Sequence, residues 1–141
     1  NADNWQRVNL KIKFRESFRP FAPTVLAEHA KEYFECETES PFMLFTANVR
    51  EGKRVIPAVT HVDGSARLQT LKREEHDLYY DLIEEFRRQT GCPVLINTSF
   101  NVRGEPIVCS PQNALDCFMK TELDYLVIGS YIIDKSTLQK Q

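Results

Sequence analysis

Between residues 75 and 89 the side chains Leu78, Tyr79, Leu82, Ile83 and Phe86 recur at helical spacing, and Gly91 marks the end of the run. Just beyond it, Pro93, Val94, Leu95 and Ile96 form a short apolar stretch too brief for a helix and suited to a buried strand. An amphipathic helix that feeds a buried strand within a few residues constrains the chain to an α/β arrangement, with strands and helices alternating around a mixed sheet.

The other segments extend that pattern. Residues 3–8 are weakly helical, and residues 10–15 alternate, with Leu10, Ile12 and Phe14 on one side and Lys11, Lys13 and Arg15 on the other. Thr24 is placed to cap a helix carrying Val25, Leu26, Ala30, Tyr33 and Phe34. Residues 43–49 and 55–62 read as strands joined by a turn around Gly52, and residues 65–70 alternate again. Ser110-Pro111 is a cap followed by a first-turn proline, opening a helix with Ala114, Leu115, Phe118 and Met119 as its core face. Residues 125–128 and 131–133 close the chain as strands.

A length of 141 residues suits a single domain spanning 1–141. Its apolar runs fall far short of the roughly 18 residues a membrane helix needs, so no membrane partner is expected. The formal net charge of −2 counts against bulk binding to nucleic acid, and any anion site must be a local cluster. Cys36, Cys92, Cys109 and Cys117 lack the spacing of a zinc site or a disulfide framework; reduced thiols in a cytoplasmic protein are the expectation. Asn1-Ala2, where an initiator methionine would stand, is consistent with an expression remnant on a piece of a longer chain.

Three polar segments carry the chemistry. In the first, Lys13 and Arg15 are neighbours on one face of the alternating stretch, and Arg19 follows as a planar donor for phosphate or carboxylate. The pattern alone favours a solvated strand edge over the alternative, an inward-facing cleft whose repulsion an anion offsets. The second, 97–106, places Asn97, Thr98, Ser99 and Asn101 just past the apolar run 94–96, where α/β sheets bind ligands. Their hydroxyls and amides suit a carbonyl or phosphate group, although side-chain-to-backbone turns use the same residues. The third, 61–70, aligns Ser65, Arg67 and Gln69 on one face, with His61 at its start. A lone histidine near a turn is also an ordinary structural residue. No Cys–His–Asp ordering supports nucleophilic catalysis.

Together, "KFRESFRPFAP", "HVDGSARLQT", "LINTSFNVRGEPIV" and the closing "DYLVIGSYII" resemble, in that order, the C-terminal region of the O-carbamoyltransferases of the nodulation and antibiotic-tailoring type. The resemblance runs from about residue 9 to residue 134. It implies a YrdC-like fold, a twisted mixed α/β sheet flanked by helices. It also implies a site built from a Lys-x-Arg pair and a Ser-x-Asn pair, matched here by Lys13 with Arg15 and Ser99 with Asn101.

On that resemblance Lys13, Arg15, Ser99 and Asn101 are the catalytic set, and Arg19, His61, Ser65, Arg67, Asn97 and Thr98 are substrate-binding. Carbamoyl phosphate and ATP, the latter with Mg2+, are the implied ligands, and a carbamoyl-adenylate is the implied product. A metal-carrying, Kae1-like N-terminal domain is the implied partner that passes the carbamoyl group to a hydroxyl. Family members also have a Gly- and Arg-rich segment ahead of the basic stretch, so a fragment starting after it is expected to be inactive alone. The competing readings are an RNA- or nucleotide-binding module, and a structural domain that packs on a catalytic partner.

Overall fold

The computed structural model describes residues 2–138. In chain order its elements are α1 (Ala2–Arg7), a π-helical turn (Val8–Ile12), β1 (Ala22–Leu26), a 3-10 turn (Ala27–His29), α2 (Ala30–Tyr33), β2 (Phe34–Glu35), β3 (Thr46–Val49), 3-10 turns at Glu51–Lys53 and Pro57–Val59, β4 (Ser65–Arg67), β5 (Gln69–Leu71), a 3-10 turn (Arg73–Glu75), α3 (Asp77–Thr90), β6 (Val94–Asn97), α4 (Pro111–Lys120), β7 (Tyr125–Ile128), β8 (Tyr131–Asp134) and α5 (Lys135–Leu138). This is the expected α/β mixture. The chain forms two compact units, one made of Pro20–Thr98 with the start of α1, the other of Gln6–Arg19 and the residues from Ser99 onward.

In the first unit β1 is the middle strand of a mixed sheet, parallel to β5 and antiparallel to β6. All five β1 residues are buried, as befits a strand covered on both edges and both faces. Thr24 therefore lies inside a strand and caps nothing, which corrects the helix expected there. A fully buried strand carries no alternation, and its apolar residues imitate helical spacing. Pro23 stands one residue before the pairing with β5 begins at Thr24, so its missing N–H costs no bond on that edge.

β2, β3 and β4 form an antiparallel sheet, and the chain passes from it into β5 through Leu68, which is buried. The strand expected at 55–62 is absent. Pro57 instead opens a 3-10 turn, a position where its lost N–H is harmless, and Val55 and Val62 are exposed.

α3 packs on this unit through Ile83, against Leu26 and Leu71, with Tyr79, Tyr80 and Leu95 around them. Its N-terminus is capped by His76, whose Nδ1 accepts from the Tyr79 amide, and Gly91 closes it in the left-handed region at φ 77. The buried stripe is narrower than expected, because Leu78 and Leu82 point outward at 71% and 58% exposure.

In the second unit α4 begins as the sequence implied, with the Ser110 hydroxyl accepting from the Asn113 amide and Pro111 in the first turn. Ala114, Phe118 and Leu126 form the centre of its core, and Phe100, Val108, Leu115, Leu123, Ile128 and Ile133 pack around them. Met119 is exposed, whereas the buried place on that face belongs to Cys117. β7 and β8 pair through a Gly129-Ser130 turn with Gly129 at φ 56. The Lys135 ammonium donates to the carbonyls of Phe118 and Thr121 and lies 4.7 Å over the Phe118 ring, so the hairpin's far end caps α4.

Candidate anion site

The basic stretch is not a strand. Residues 8–12 curl into a π-helical turn, closed by Lys13 N–H donating to the Val8 carbonyl at 2.8 Å. The buried side chains here are Asn9 and Lys13, four residues apart, while Leu10 and Phe14 are about half exposed. The period-two pattern is thus broken by a helical turn that sends Lys11 outward to Glu122, 2.9 Å away, and Lys13 inward.

Lys13 is 5% exposed. Its ammonium lies 2.7 Å from the Ser99 carbonyl, 3.3 Å from Ser99 Oγ, 2.8 Å from the Asn101 carbonyl and 2.6 Å from Asn101 Oδ1. Three N–H groups thus face four neutral oxygens. The Ser99 hydroxyl donates to Asn101 Oδ1 at 2.7 Å, and Asn101 Nδ2 donates to the Glu105 carbonyl at 2.9 Å. The Arg103 amide closes the arrangement by donating to the Lys13 carbonyl at 3.1 Å. The Lys-x-Arg and Ser-x-Asn pairs, 86 residues apart in sequence, are therefore joined through Lys13.

The electrostatics are strained. Burial, followed by the nearby Arg15 charge, holds the Lys13 ammonium below the usual lysine range. Burial and then Arg19 likewise press the Arg15 guanidinium down. Between these two cations Phe14 sits at φ 50, a left-handed conformation that costs an aromatic residue roughly 1–2 kcal/mol. Glu16 is the nearby counter-charge, 3.0 Å from Arg103 and 4.0 Å from Arg19. A desolvated cation bonded to neutral oxygens, with like charges and backbone strain beside it, is suited to receive an anion.

The remaining sequence-predicted residues belong to the first unit. Asn97 donates to Gln69 Oε1 at 2.7 Å, as does Thr24, and Gln69 in turn donates to the Pro41 carbonyl at 2.9 Å. Thr98 follows at the end of β6, half-buried. His61 and Ser65 share a 2.9 Å hydrogen bond, and the Ser65 amide donates to Asp63 Oδ1, an arrangement that shapes the turn around Gly64. Arg67 is exposed on β4, opposite Thr46.

Two residues of the second-unit cluster were not picked out from sequence. Asn9 is completely buried, and only folding gathers its partners. Arg103 follows the Ser-x-Asn pair within the same polar segment, which was the available signal for it. Elsewhere in this unit a hollow of about 710 Å3 is lined by Arg7, Glu122, Asp124 and Lys135 among others. Its charges are matched internally, Arg7 lying 2.7 Å from both Asp124 carboxylate oxygens.

Among the described residues no helix is long and apolar enough to cross a membrane, and no three His, Cys, Asp or Glu side chains are grouped to hold a metal ion. The chain is 52% identical to nodulation protein NolNO of Sinorhizobium fredii over 96% of its own length and 21% of that protein. It is 48% identical to nodulation protein NolO of Bradyrhizobium diazoefficiens, over 95% of this chain and 25% of that protein. An uncharacterized Synechocystis protein is 50% identical, over 92% of this chain and 24% of its own length. The chain thus spans about a quarter or less of these curated relatives. Residues 1–135 match the family described as carbamoyltransferase C-terminus, and with that match, and with motif residues that meet in one cluster, the chain belongs to this family.

Proposed function

We propose that this chain is the nucleotide-binding module of a cytoplasmic, ATP-dependent O-carbamoyltransferase, taking carbamoyl phosphate and ATP to a carbamoyl-adenylate. The observation that carries the reading is the buried Lys13 ammonium, held by neutral oxygens of Ser99 and Asn101 with Arg15 beside it. Water cleaves carbamoyl phosphate to carbamate and inorganic phosphate. The carbamate oxygen then attacks the α-phosphorus of ATP, the α–β phosphoanhydride bond breaks and pyrophosphate leaves, so negative charge accumulates at the reacting phosphates. A charged phosphate oxygen competes well against neutral acceptors for a lysine N–H, because charge-assisted bonds are roughly twice as strong.

Lys13 and Arg15 offset the phosphate charge, and Arg19 widens the positive edge. Ser99 and Asn101, with both donors and acceptors, hold the carbonyl and amide edges of the carbamoyl group. The donor set fits an anionic ligand, and Mg2+ would arrive on ATP through phosphate oxygens rather than through a protein cage. Transfer to the hydroxyl acceptor falls to the remainder of the longer family proteins. The test is an amide NMR titration of the 141-residue chain with magnesium ATP and with carbamoyl phosphate. Saturable shifts at Lys13, Ser99 and Asn101 are expected; a saturable response confined to other residues, or none at millimolar ligand, overturns the reading.

A further inference from the structure

We infer that Asn9 is a positioning residue of this site, acting through Arg15 to set where the ligand's phosphate is held; the inference rests on the function proposed above. Asn9 is a polar side chain with 0% exposure. Its Oδ1 accepts from Arg15 Nε at 2.7 Å, and its Nδ2 donates to the carbonyls of Arg19 at 2.8 Å and Ser17 at 3.2 Å. Its own carbonyl accepts from the Arg15 amide at 3.0 Å. One residue therefore holds both the backbone and the guanidinium of Arg15 and ties down the turn that leads to Arg19.

The orientation of the carboxamide is unambiguous. A guanidinium only donates and carbonyls only accept, so the oxygen must face Arg15 and the nitrogen must face residues 17 and 19. An aspartate would set a second oxygen against two carbonyls, and a leucine would orphan all three partners; asparagine alone serves both sides at this length. Fixing Nε fixes the plane of the guanidinium and hence the direction of its two terminal nitrogens, the edge that grips phosphate bidentately. Arg15 and Lys13 repel each other, and the Asn9 oxygen holds the Nε side of Arg15 in place against that repulsion.

The experiment measures magnesium ATP binding by the wild-type chain, Asn9→Ser, Arg15→Ala and the double variant, with melting temperatures alongside. Asn9→Ser stays neutral and polar, and is chosen over alanine to protect folding. It is expected to weaken ATP about 5- to 20-fold, while the double variant binds within about twofold of Arg15→Ala. Losses that multiply in the double variant, or an Asn9→Ser protein that binds as wild type, overturn the inference. The Arg15 Nε–H proton supplies a readout that needs no ligand. Its exchange with water is expected to be slow in wild type and at least tenfold faster in Asn9→Ser. Equal exchange in both overturns the role of Asn9, whereas a wild-type chain that binds no ATP overturns the proposed function.

Discussion

Replacing Lys13 with methionine separates what this residue does for the fold from what it does for a ligand. The variant keeps the length of the side chain and removes its charge. Three N–H bonds to Ser99 and Asn101 oxygens are lost, worth about 4–6 kcal/mol together at the lower range for bonds to a charged group. Against this, a buried ammonium no longer has to be desolvated, which returns several kcal/mol, about 3–5. Its repulsion with Arg15 also disappears. Ser99 is exposed and Asn101 half-buried, so water reaches part of the orphaned oxygens. The net loss is about 1–2 kcal/mol, a fall in Tm of roughly 3–8 °C for a chain of this size. Ligand binding loses a charge-assisted bond to phosphate of about 1.5–3 kcal/mol, or about 10- to 150-fold in affinity. Differential scanning fluorimetry and calorimetric titration with magnesium ATP read the two quantities on one sample. A variant that melts as predicted but binds ATP within threefold of wild type refutes the assignment; one that does not fold cooperatively refutes the energetics.

Two further expectations concern the fold. Phe118→Ala empties the centre of the second unit's core and takes away the ring beneath the Lys135 ammonium, so urea unfolding should show a loss of about 3–5 kcal/mol; a loss below about 1 kcal/mol would mean the core is built elsewhere. Tyr80 donates its hydroxyl to Glu28, and that bond, with burial next, pushes its pKa up to about 12. The folded state therefore keeps a proton that the unfolded chain loses near pH 10, and the stabilisation is complete below that pH and lost as pH rises towards about 12. Tyr33 and Tyr79 are also raised by burial, so absorbance titration should show late ionisation in both proteins, with the step near pH 12 missing from Tyr80→Phe; a step near pH 12 of unchanged amplitude in the variant would assign it to another residue.

What could be read from the sequence divides along physical lines. Local signals held: Gly91 in the left-handed region, Ser110-Pro111 at the start of α4, and the closing strands expected at 125–128 and 131–133, which pair as β7 and β8. Patterns whose meaning depends on burial did not. β1 is buried throughout because both faces are covered, and so it resembled a helix; the stretch 10–15 alternates, yet the partners of Lys13 come from residues 99–101 and need a helical curl to reach it. At the candidate site, motif resemblance singled out Lys13, Ser99 and Asn101, which do meet. Asn9 carries no such signal, because nothing local distinguishes a buried asparagine from a surface one.

The most direct measurement of the central claim is pyrophosphate release from ATP, dependent on carbamoyl phosphate, in a full-length family enzyme carrying this sequence. Lys13→Ala and Arg15→Ala are each predicted to reduce that release at least about 100-fold while the proteins remain folded, as expected when positioned cations supply electrostatic stabilisation. Release that continues at the wild-type rate in either folded variant would contradict the account.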